Sequence, residues 1–534
     1  MRFVLSRERL HNPIPYMRRR PHRESGRTNL VRPQHNSVDS TKYQSCLLME
    51  EWIMGREKSI MGHPIYLGVD IGTQGIRAVA WTNGAIVSRA QAGLTTASPQ
   101  SGWAVQQIED IWTGFQTVIA KLTQQLGAHS RLIKGIGLDV TASILLVNSQ
   151  GHPLTDVLLW MDVRAEEEAR IISTLVGRPE SAELPWAKSL WLYRHVSPQF
   201  AGSRLVEVAD WITWRLTGQW TRSQSSARLK WHGQPSSWLP AWAEEFPEIV
   251  QAFPERVVGV AETIGPVQAP IARTLGLGSE PVLVAGSLID AYAGAVGSGA
   301  VQDGTMALIL GTSSCELVHQ RHAHAAAGLW GPFQDIYGMG IDVLEAGQPS
   351  TGSVVRWVER NVGRGLSLNE LDGMAQTVPP GCLGLKMLPA FQGIRSPWPN
   401  AHTRGMIHGL SLVHDVGHLL RAVYEGTAVD VRRVMDVLAP GSVQRIVVSG
   451  GGVHSCLWIQ IIADVCGLPL ELADDDATTR GACLLAAKAD GAVNSLAADQ
   501  SPWPVVAPTE AYAAYQQIYR EYLREFPTYS PESW

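Results

Sequence analysis

Charged residues are scarce in this sequence of 534 residues, because Asp, Glu, Lys and Arg together make up only 17% of it. The net charge of −5 offers no basic surface for a nucleic acid. Long apolar runs are missing as well, since none approaches the ~20 residues that a transmembrane helix needs. These two absences predict a protein that acts on neither nucleic acids nor membranes.

Metal-binding and disulfide patterns are also absent. The six cysteines, at positions 46, 315, 382, 456, 466 and 483, show no CxxC spacing, and the histidines form no HExxH motif. Most of the cysteines lie in apolar runs. We therefore expect reduced thiols and a cytoplasmic location.

What the chain has in abundance is apolar sequence interrupted by glycine. Its hydrophobic content of 45% and its 51 glycines predict two or more domains of a turn-rich α/β architecture. Residues 1–60 differ from the rest, because they carry 12 Lys or Arg against 6 Asp or Glu and show no helical or strand period. We expect this segment to be a disordered basic N-terminal extension.

The most informative motif is a glycine turn that follows a buried acid. Residues 65–71 read as a buried strand that carries Asp70, residues 72–75 as a turn, and residues 76–81 as the returning strand. Gly72 and Gly75 let the backbone approach an anion, Thr73 and Gln74 add hydrogen-bond donors, and a carboxylate such as Asp70 can hold hydrated Mg²⁺. A purely structural hairpin is the alternative, so the interpretation depends on partners elsewhere in the chain.

Three later motifs supply such partners. Asp290 follows a buried strand at residues 281–286 and lies among apolar and small residues, where lost hydration would raise its basicity. A strand beginning at Met306 opens into a second turn suited to phosphate oxygens, formed by Gly311, Thr312 and Ser313. A strand at residues 445–449 ends in three glycines before a predicted helix at 456–466, which would let a nucleotide lie against bare backbone; these glycines are Gly450, Gly451 and Gly452.

The order of these motifs resembles the FGGY carbohydrate kinases over roughly residues 62–525. Residues 388–397 and 408–410 resemble the signature region of that family's second domain. The resemblance implies an α/β, two-domain fold of the actin-like, Hsp70-like and hexokinase-like ATPases (ribonuclease H-like), with a catalytic cleft between the domains. It places an N-terminal domain at 62–300, with the sugar site and the first phosphate turn, and a C-terminal domain at 301–525, with the second phosphate turn and the adenosine site.

Within the family, the details resemble the ribulokinases. Residues 137–143 resemble the ribulokinase sugar loop, residues 160–162 the segment after it, and residues 345–352 a further ribulokinase motif. The implied reaction is transfer of the γ-phosphate of ATP to the terminal hydroxyl of a ketopentose, with D-ribulose favoured. Kinases of L-ribulose, D-xylulose or glycerol stay open as alternatives, as does a catalytically silent nucleotide-binding module. Oligomeric state also stays open, although a homodimer is common in the family.

The resemblance also implies residue roles. Asp290 would be the general base, and Asp70 and Asp290 would hold Mg²⁺. The sugar would contact Ala142, Lys230, Asp290 and Glu345. ATP would contact Asp70, Gly72, Thr73, Gln74, Arg77, Gly311, Thr312, Ser313, Gly450, Gly451, Gly452 and Ser455. The plainer alternatives are that Asp290 and Glu345 cap helices and that Lys230 is a solvated surface group.

Overall fold

Two large mixed sheets organise the protein. The computed structural model describes residues 62–177, 180–196, 200–234, 238–400, 402–497 and 503–526. The predicted N-terminal extension lies outside these residues. The domain boundary between residues 300 and 301 stays a prediction.

The strands and helices are numbered here in chain order. The strands are β1 Ile65–Ile71, β2 Gly75–Thr82, β3 Ala85–Gly93, β4 Val105–Gln106, β5 Ile133–Val140, β6 Ile144–Val147, β7 Val157–Leu158, β8 Arg204–Glu207, β9 Arg222–Ser223, β10 Val257–Val258, β11 Thr263–Pro266, β12 Leu283–Ala285, β13 Thr305–Leu310, β14 Ser314–Gln320, β15 Trp330–Phe333, β16 Asp342–Gln348, β17 Lys386–Leu388, β18 Met406–His408, β19 Arg445–Ser449, β20 Leu470–Leu472 and β21 Val505–Val506. The α-helices are α1 Ile108–Leu126, α2 Glu166–Val176, α3 Pro185–His195, α4 Val208–Thr217, α5 Gln224–Leu229, α6 Pro247–Ala252, α7 Ala269–Thr274, α8 Asp290–Gly297, α9 Gly352–Asn361, α10 Leu368–Thr377, α11 Val416–Asp436, α12 Cys456–Cys466, α13 Ala477–Ala489 and α14 Tyr512–Glu525.

The first sheet confirms the predicted hairpin around Asp70. Its strand order is β11-β12-β5-β1-β2-β3, with β1 antiparallel to β2 and parallel to β5. All seven residues of β1 are buried, which is why the strand reads as a continuous apolar run. Asn83 and Gly84 both have positive φ, as a tight turn between β2 and β3 requires.

The second sheet repeats the connectivity of the first. Its order is β15-β16-β14-β13-β19-β20-β21, in which β13, β14 and β16 are antiparallel neighbours and β19 and β20 continue parallel to β13. In the first sheet β1, β2 and β3 are likewise antiparallel, and β5 and β12 continue parallel to β1. The two glycine turns resemble each other because each joins the first and second strands of its sheet.

Helices α8 and α13 pack unusually closely through glycine. A Cβ atom at Gly481 would lie 1.9 Å from the carbonyl oxygen of Ala293, and one at Gly297 would lie 1.7 Å from that of Ala477. Helix α13 also lies against β1 and β5, where Gly137 leaves room for its backbone. The helix that begins with Asp290 is therefore tied to the first sheet through α13.

Two further findings concern the cysteines and the helix lengths. Cys456 is disulfide-bonded, so the expectation of reduced thiols is wrong at that position, whereas Cys315, Cys382, Cys466 and Cys483 are free. Among the residues that the structure describes, no helix is both long enough and apolar enough to cross a membrane.

A buried acid in the second sheet predicts a pH-dependent stability. Glu316 on β14 is 1% exposed, and burial raises its pKa from 4.5 to about 7. The unfolded chain therefore ionises at lower pH than the folded protein. The contribution of Glu316 to the free energy of unfolding is full below pH 4.5 and is lost as the pH rises through 7. A shift of this size corresponds to about 3 kcal/mol.

Glu316→Gln should remove this dependence. Between pH 5 and pH 8, we expect the free energy of unfolding of the parent protein to fall by about 3 kcal/mol more than that of the variant. Urea denaturation at the two pH values measures this difference. Glu510→Gln is the matched control, because Glu510 is exposed. A stability difference between parent and Glu316→Gln that is the same at both pH values would contradict the prediction.

Candidate active site

The first glycine turn presents Asp70 next to an arginine. Asp70 and Arg77 are opposite each other in the β1–β2 register, and the Arg77 Nε and Nη2 atoms lie 2.9 and 2.5 Å from Asp70 Oδ2. The amide of Gly72 donates to the Gly75 carbonyl oxygen at 3.0 Å, which closes the turn. Asp70 is 4% exposed, whereas Gln74 is exposed at the tip. The carboxylate is therefore fixed at the base of the turn.

Two further acids converge on Asp70. Asp139 is opposite Asp70 in the parallel β1–β5 register, and a bridge from Asp139 to Leu288 brings Asp290 to the same edge of the sheet. Burial, and then the charges of Asp70 and Asp290, raise the pKa of Asp139 well above its ordinary value. Burial and the charge of Asp70 also raise the pKa of Asp290. Proximity and burial thus favour a proton-accepting role at this point.

Asp290 lies at the start of a helix. It is the first residue of α8, and its Oδ1 atom accepts the amide hydrogen of Ala291 at 2.8 Å. The carboxylate therefore lies at the positive end of a helix as well as beside Asp70. Asp290 is therefore the first residue of the helix and not its N-cap, which is Ile289, and its side chain stays in the site.

A second group of polar side chains, Lys230, Glu345 and Tyr292, lies close to Asp290. Lys230 Nζ lies 3.3 Å from Glu345 Oε1, and the Tyr292 hydroxyl donates to Glu345 Oε2 at 2.8 Å. Although burial works against it, the charge of Glu345 raises the pKa of Lys230. Ala142 belongs to the same buried cluster as Tyr292. Lys230 and Glu345 are therefore partners in an enclosed site, not a solvated lysine and a helix cap.

The second glycine turn is held in place by the start of α9. The amide of Gly311 donates to the Ser313 carbonyl oxygen at 2.9 Å, and the carbonyl oxygen of Thr312 accepts from the amides of Thr351 and Ser353 at 3.1 and 3.0 Å. The loop between β13 and β14 consequently has the compact geometry that the sequence predicts.

The three consecutive glycines differ in the space around them. Gly450 has φ +90, and a Cβ atom there would lie 2.7 Å from the Leu310 carbonyl oxygen. A Cβ atom at Gly452 would lie 2.6 Å from the Leu310 Cβ, whereas one at Gly451 would meet nothing within 4 Å. Gly450 and Gly452 allow close packing on β13, and Gly451 alone borders open space. Ser455 caps α12, since its Oγ accepts the amide hydrogen of Trp458 at 3.3 Å.

The acids at this site suit a cation that shares its ligands with a nucleotide. Within the described ranges, no group of three or more His, Cys, Asp or Glu side chains is arranged to hold a metal ion by itself. Mg²⁺ is commonly held by one or two carboxylates, with water and phosphate oxygens completing its coordination. Asp70 and Asp290 fit that arrangement.

Sequence reasoning did not assign roles to several residues of this site. Asp139 could have been found, because it is a lone acid in an apolar strand, the same signal that identified Asp290. Tyr292 gave no signal, since its partner Glu345 is 53 positions away. Trp160 and Gln106 also gained no role, although both donate hydrogen bonds to Thr73.

Comparison with known proteins adds family and fold. Residues 65–297 match the N-terminal domain, and residues 306–489 the C-terminal domain, of the FGGY family of carbohydrate kinases. An FGGY carbohydrate kinase domain-containing protein of Xenopus laevis is 29% identical, over 80% of this chain and 88% of its own. A ribulokinase of Geobacillus thermodenitrificans is 26% identical, with coverages of 87% and 94%. A D-ribulokinase of Saccharomyces cerevisiae is 24% identical, with coverages of 85% and 76%.

Solved structures agree on the fold. The xylulose kinase of Rhodospirillum rubrum superposes with a TM-score of 0.75 at 24% identity, covering 87% of this chain and 99% of the other. Glycerol kinase of Plasmodium falciparum with ADP gives a TM-score of 0.77 at 17% identity, with coverages of 88% and 99%. The predicted two-domain, actin-like α/β fold is confirmed.

Proposed function

The chain belongs to the FGGY family of carbohydrate kinases, phosphotransferases with an alcohol group as acceptor, and on that basis we propose that it phosphorylates the terminal hydroxyl of a ketopentose, with D-ribulose the first candidate. The observation that carries the proposal is the convergence of Asp290 with Asp70 on one side and with the Lys230–Glu345 pair on the other. A base placed between a phosphate turn and a polar, enclosed pocket suits transfer from ATP to a sugar hydroxyl.

In the proposed mechanism Asp290 accepts the proton of the attacking hydroxyl. Burial and Asp70 raise its pKa, which makes its carboxylate a stronger base than an exposed aspartate. Asp70 and Asp290 would hold Mg²⁺, which supplies charge neutralisation at the β- and γ-phosphates. Arg77 contacts Asp70 and would also reach a phosphate bound at the turn.

The nucleotide would lie across the two turns and the three glycines. We assign Gly72, Thr73, Gln74 and Arg77 to the phosphates from one side, and Gly311, Thr312 and Ser313 from the other. Gly450, Gly451 and Gly452 would border the nucleoside, with Gly451 at the open position. Ser455 would act through the start of α12, because its hydroxyl oxygen already caps that helix.

The acceptor would contact Ala142, Lys230, Asp290 and Glu345. Lys230 and Glu345 already pair with each other, so a sugar hydroxyl must match both a donor and an acceptor to bind there. An acceptor that leaves either group unpaired should bind much more weakly, and this favours one arrangement of hydroxyls. Two of the relatives are named as a ribulokinase and a D-ribulokinase, which supports ribulose as the acceptor. A cytoplasmic location and a homodimer stay predictions.

Substrate identity is tested by ADP release from Mg·ATP in the presence of D-ribulose, L-ribulose, D-xylulose, ribitol or glycerol, with a control lacking sugar. We expect the strongest stimulation with D-ribulose. Lys230→Met should raise the KM for that sugar about tenfold and leave the KM for ATP unchanged, because it removes a charged hydrogen bond to the acceptor alone. Preference for another acceptor would correct the substrate. Nucleotide binding without turnover of any acceptor would favour the silent module.

A further inference from the structure

A lysine outside the residues assigned so far is fully enclosed by backbone oxygens. Lys188 on α3 is 1% exposed. Its Nζ atom donates to the carbonyl oxygens of Leu159, Trp160 and Glu183 at 2.7, 2.7 and 2.8 Å. Three acceptors match the three N–H donors of an ammonium group. Because a buried charge is costly unless it is fully hydrogen-bonded, these three bonds hold Lys188 and the backbone of residues 159 and 160 together.

The loop of residues 159–162, which Lys188 contacts, is also held by a buried ion pair. Asp162 is fully buried, accepts the amide hydrogen of Ala104 at 2.7 Å and forms a two-pronged pair with Arg164 at 2.9 and 2.7 Å. The Arg164 guanidinium lies 3.6 Å from the ring centroid of Trp103. The charged groups that face Lys188 are Asp162, Arg164 and Glu183. The backbone at residues 159–162 is consequently fixed at both ends.

The rigid loop places one side chain on the first phosphate turn. The indole Nε1–H of Trp160 donates to Thr73 Oγ1 at 3.2 Å, and Gln106 Nε2 donates to the Thr73 carbonyl oxygen at 2.7 Å. An indole N–H can only donate, so the Thr73 hydroxyl accepts from it. The hydrogen of the Thr73 hydroxyl therefore points away from the indole. Thr73 is only half-buried, at the tip of the turn.

We propose that Trp160 and Lys188 are positioning residues for the nucleotide phosphates: Lys188 fixes the backbone of Trp160, and the Trp160 indole orients the Thr73 hydroxyl as a donor to a phosphate oxygen. This inference rests on the proposed kinase function. It assigns a role in phosphate binding to a lysine that is itself out of reach of any ligand. It also connects the segment after the predicted sugar loop, to which Trp160 belongs, with the phosphate turn.

The test is a double-mutant cycle between the two ends of this connection. Trp160→Phe keeps an aromatic ring but removes the donor, and Thr73→Val removes the hydroxyl. We expect each single variant to raise the KM for ATP and the Kd for Mg·ADP about tenfold, as loss of one hydrogen bond to a charged group does. The double variant should be no worse than Thr73→Val alone, because the indole then has no hydroxyl to orient.

Lys188→Met tests the backbone end, with Lys386→Met as its control. Lys386 is also buried, but it is ion-paired with Glu525 and belongs to β17 of the C-terminal half. We expect both variants to unfold at lower temperature and only Lys188→Met to weaken Mg·ADP binding. Combined with Thr73→Val, Lys188→Met should add no further loss of affinity.

Calorimetric binding of Mg·ADP keeps the inference separate from the choice of acceptor. If the parent binds Mg·ADP but phosphorylates nothing, the proposed function fails and the binding cycle still reads out the positioning role. Effects of Trp160→Phe and Thr73→Val that multiply in the double variant would overturn the inference. Unchanged Mg·ADP affinity in Trp160→Phe would overturn it as well.

Discussion

Asp290→Asn is expected to lower kcat for sugar phosphorylation by about 10³-fold, within the range that loss of a general base produces. An amide cannot accept the hydroxyl proton during attack. The asparagine oxygen can still accept the amide hydrogen of Ala291, as Asp290 Oδ1 does at 2.8 Å, so the start of α8 should persist. Steady-state kinetics with the preferred sugar, together with circular dichroism, would measure both effects.

Asp464→Asn is the matched control for this substitution. Asp464 is also a helical aspartate whose pKa is raised by burial, but it accepts hydrogen bonds from Thr509 and lies on α12. This control should lose stability and keep its kcat. If Asp290→Asn retained more than a tenth of the parent kcat, another group would have to accept the proton.

Local sequence patterns were sufficient to predict the elements that build the site. β1 and β19 begin and end at the predicted residues, and α12 spans Cys456–Cys466 as expected. These segments are buried runs bounded by glycine or by a helix cap, so their periods and their ends are both encoded locally. The similarity of the two glycine turns was also visible, because each follows the first strand of a sheet.

Contacts between distant parts of the chain could not be predicted in the same way. Lys230 and Glu345 are 115 positions apart, and no local pattern shows that they form a pair. The family resemblance named both residues but not their contact with each other or with Tyr292. Lys188 illustrates the same limit, because its acceptors are backbone oxygens, which carry no side-chain signature. Tertiary structure decides these pairings.

The close packing of α8 on α13 predicts that Gly481→Ala destabilises the protein by about 3 kcal/mol, at the upper end of the usual cost of overpacking. The obstacle to the new methyl group is the Ala293 carbonyl oxygen, 1.9 Å from the Cβ position, and a backbone atom cannot rotate away. The helices must separate, and α8 carries Asp290 at its first residue. We therefore also expect a loss in kcat of about 10²-fold, since small displacements of a catalytic group are costly.

Gly373→Ala separates this effect from the general consequence of adding a methyl group to a helix. Gly373 lies within α10, and a Cβ atom there would meet nothing within 4 Å. Because alanine favours the helix over glycine, this control should gain up to about 1 kcal/mol and keep its kcat. Urea denaturation and steady-state kinetics of both variants measure the contrast. Equal stabilities for Gly481→Ala and the parent would mean that α8 and α13 can separate without cost, and Asp290 would then not depend on their packing for its position.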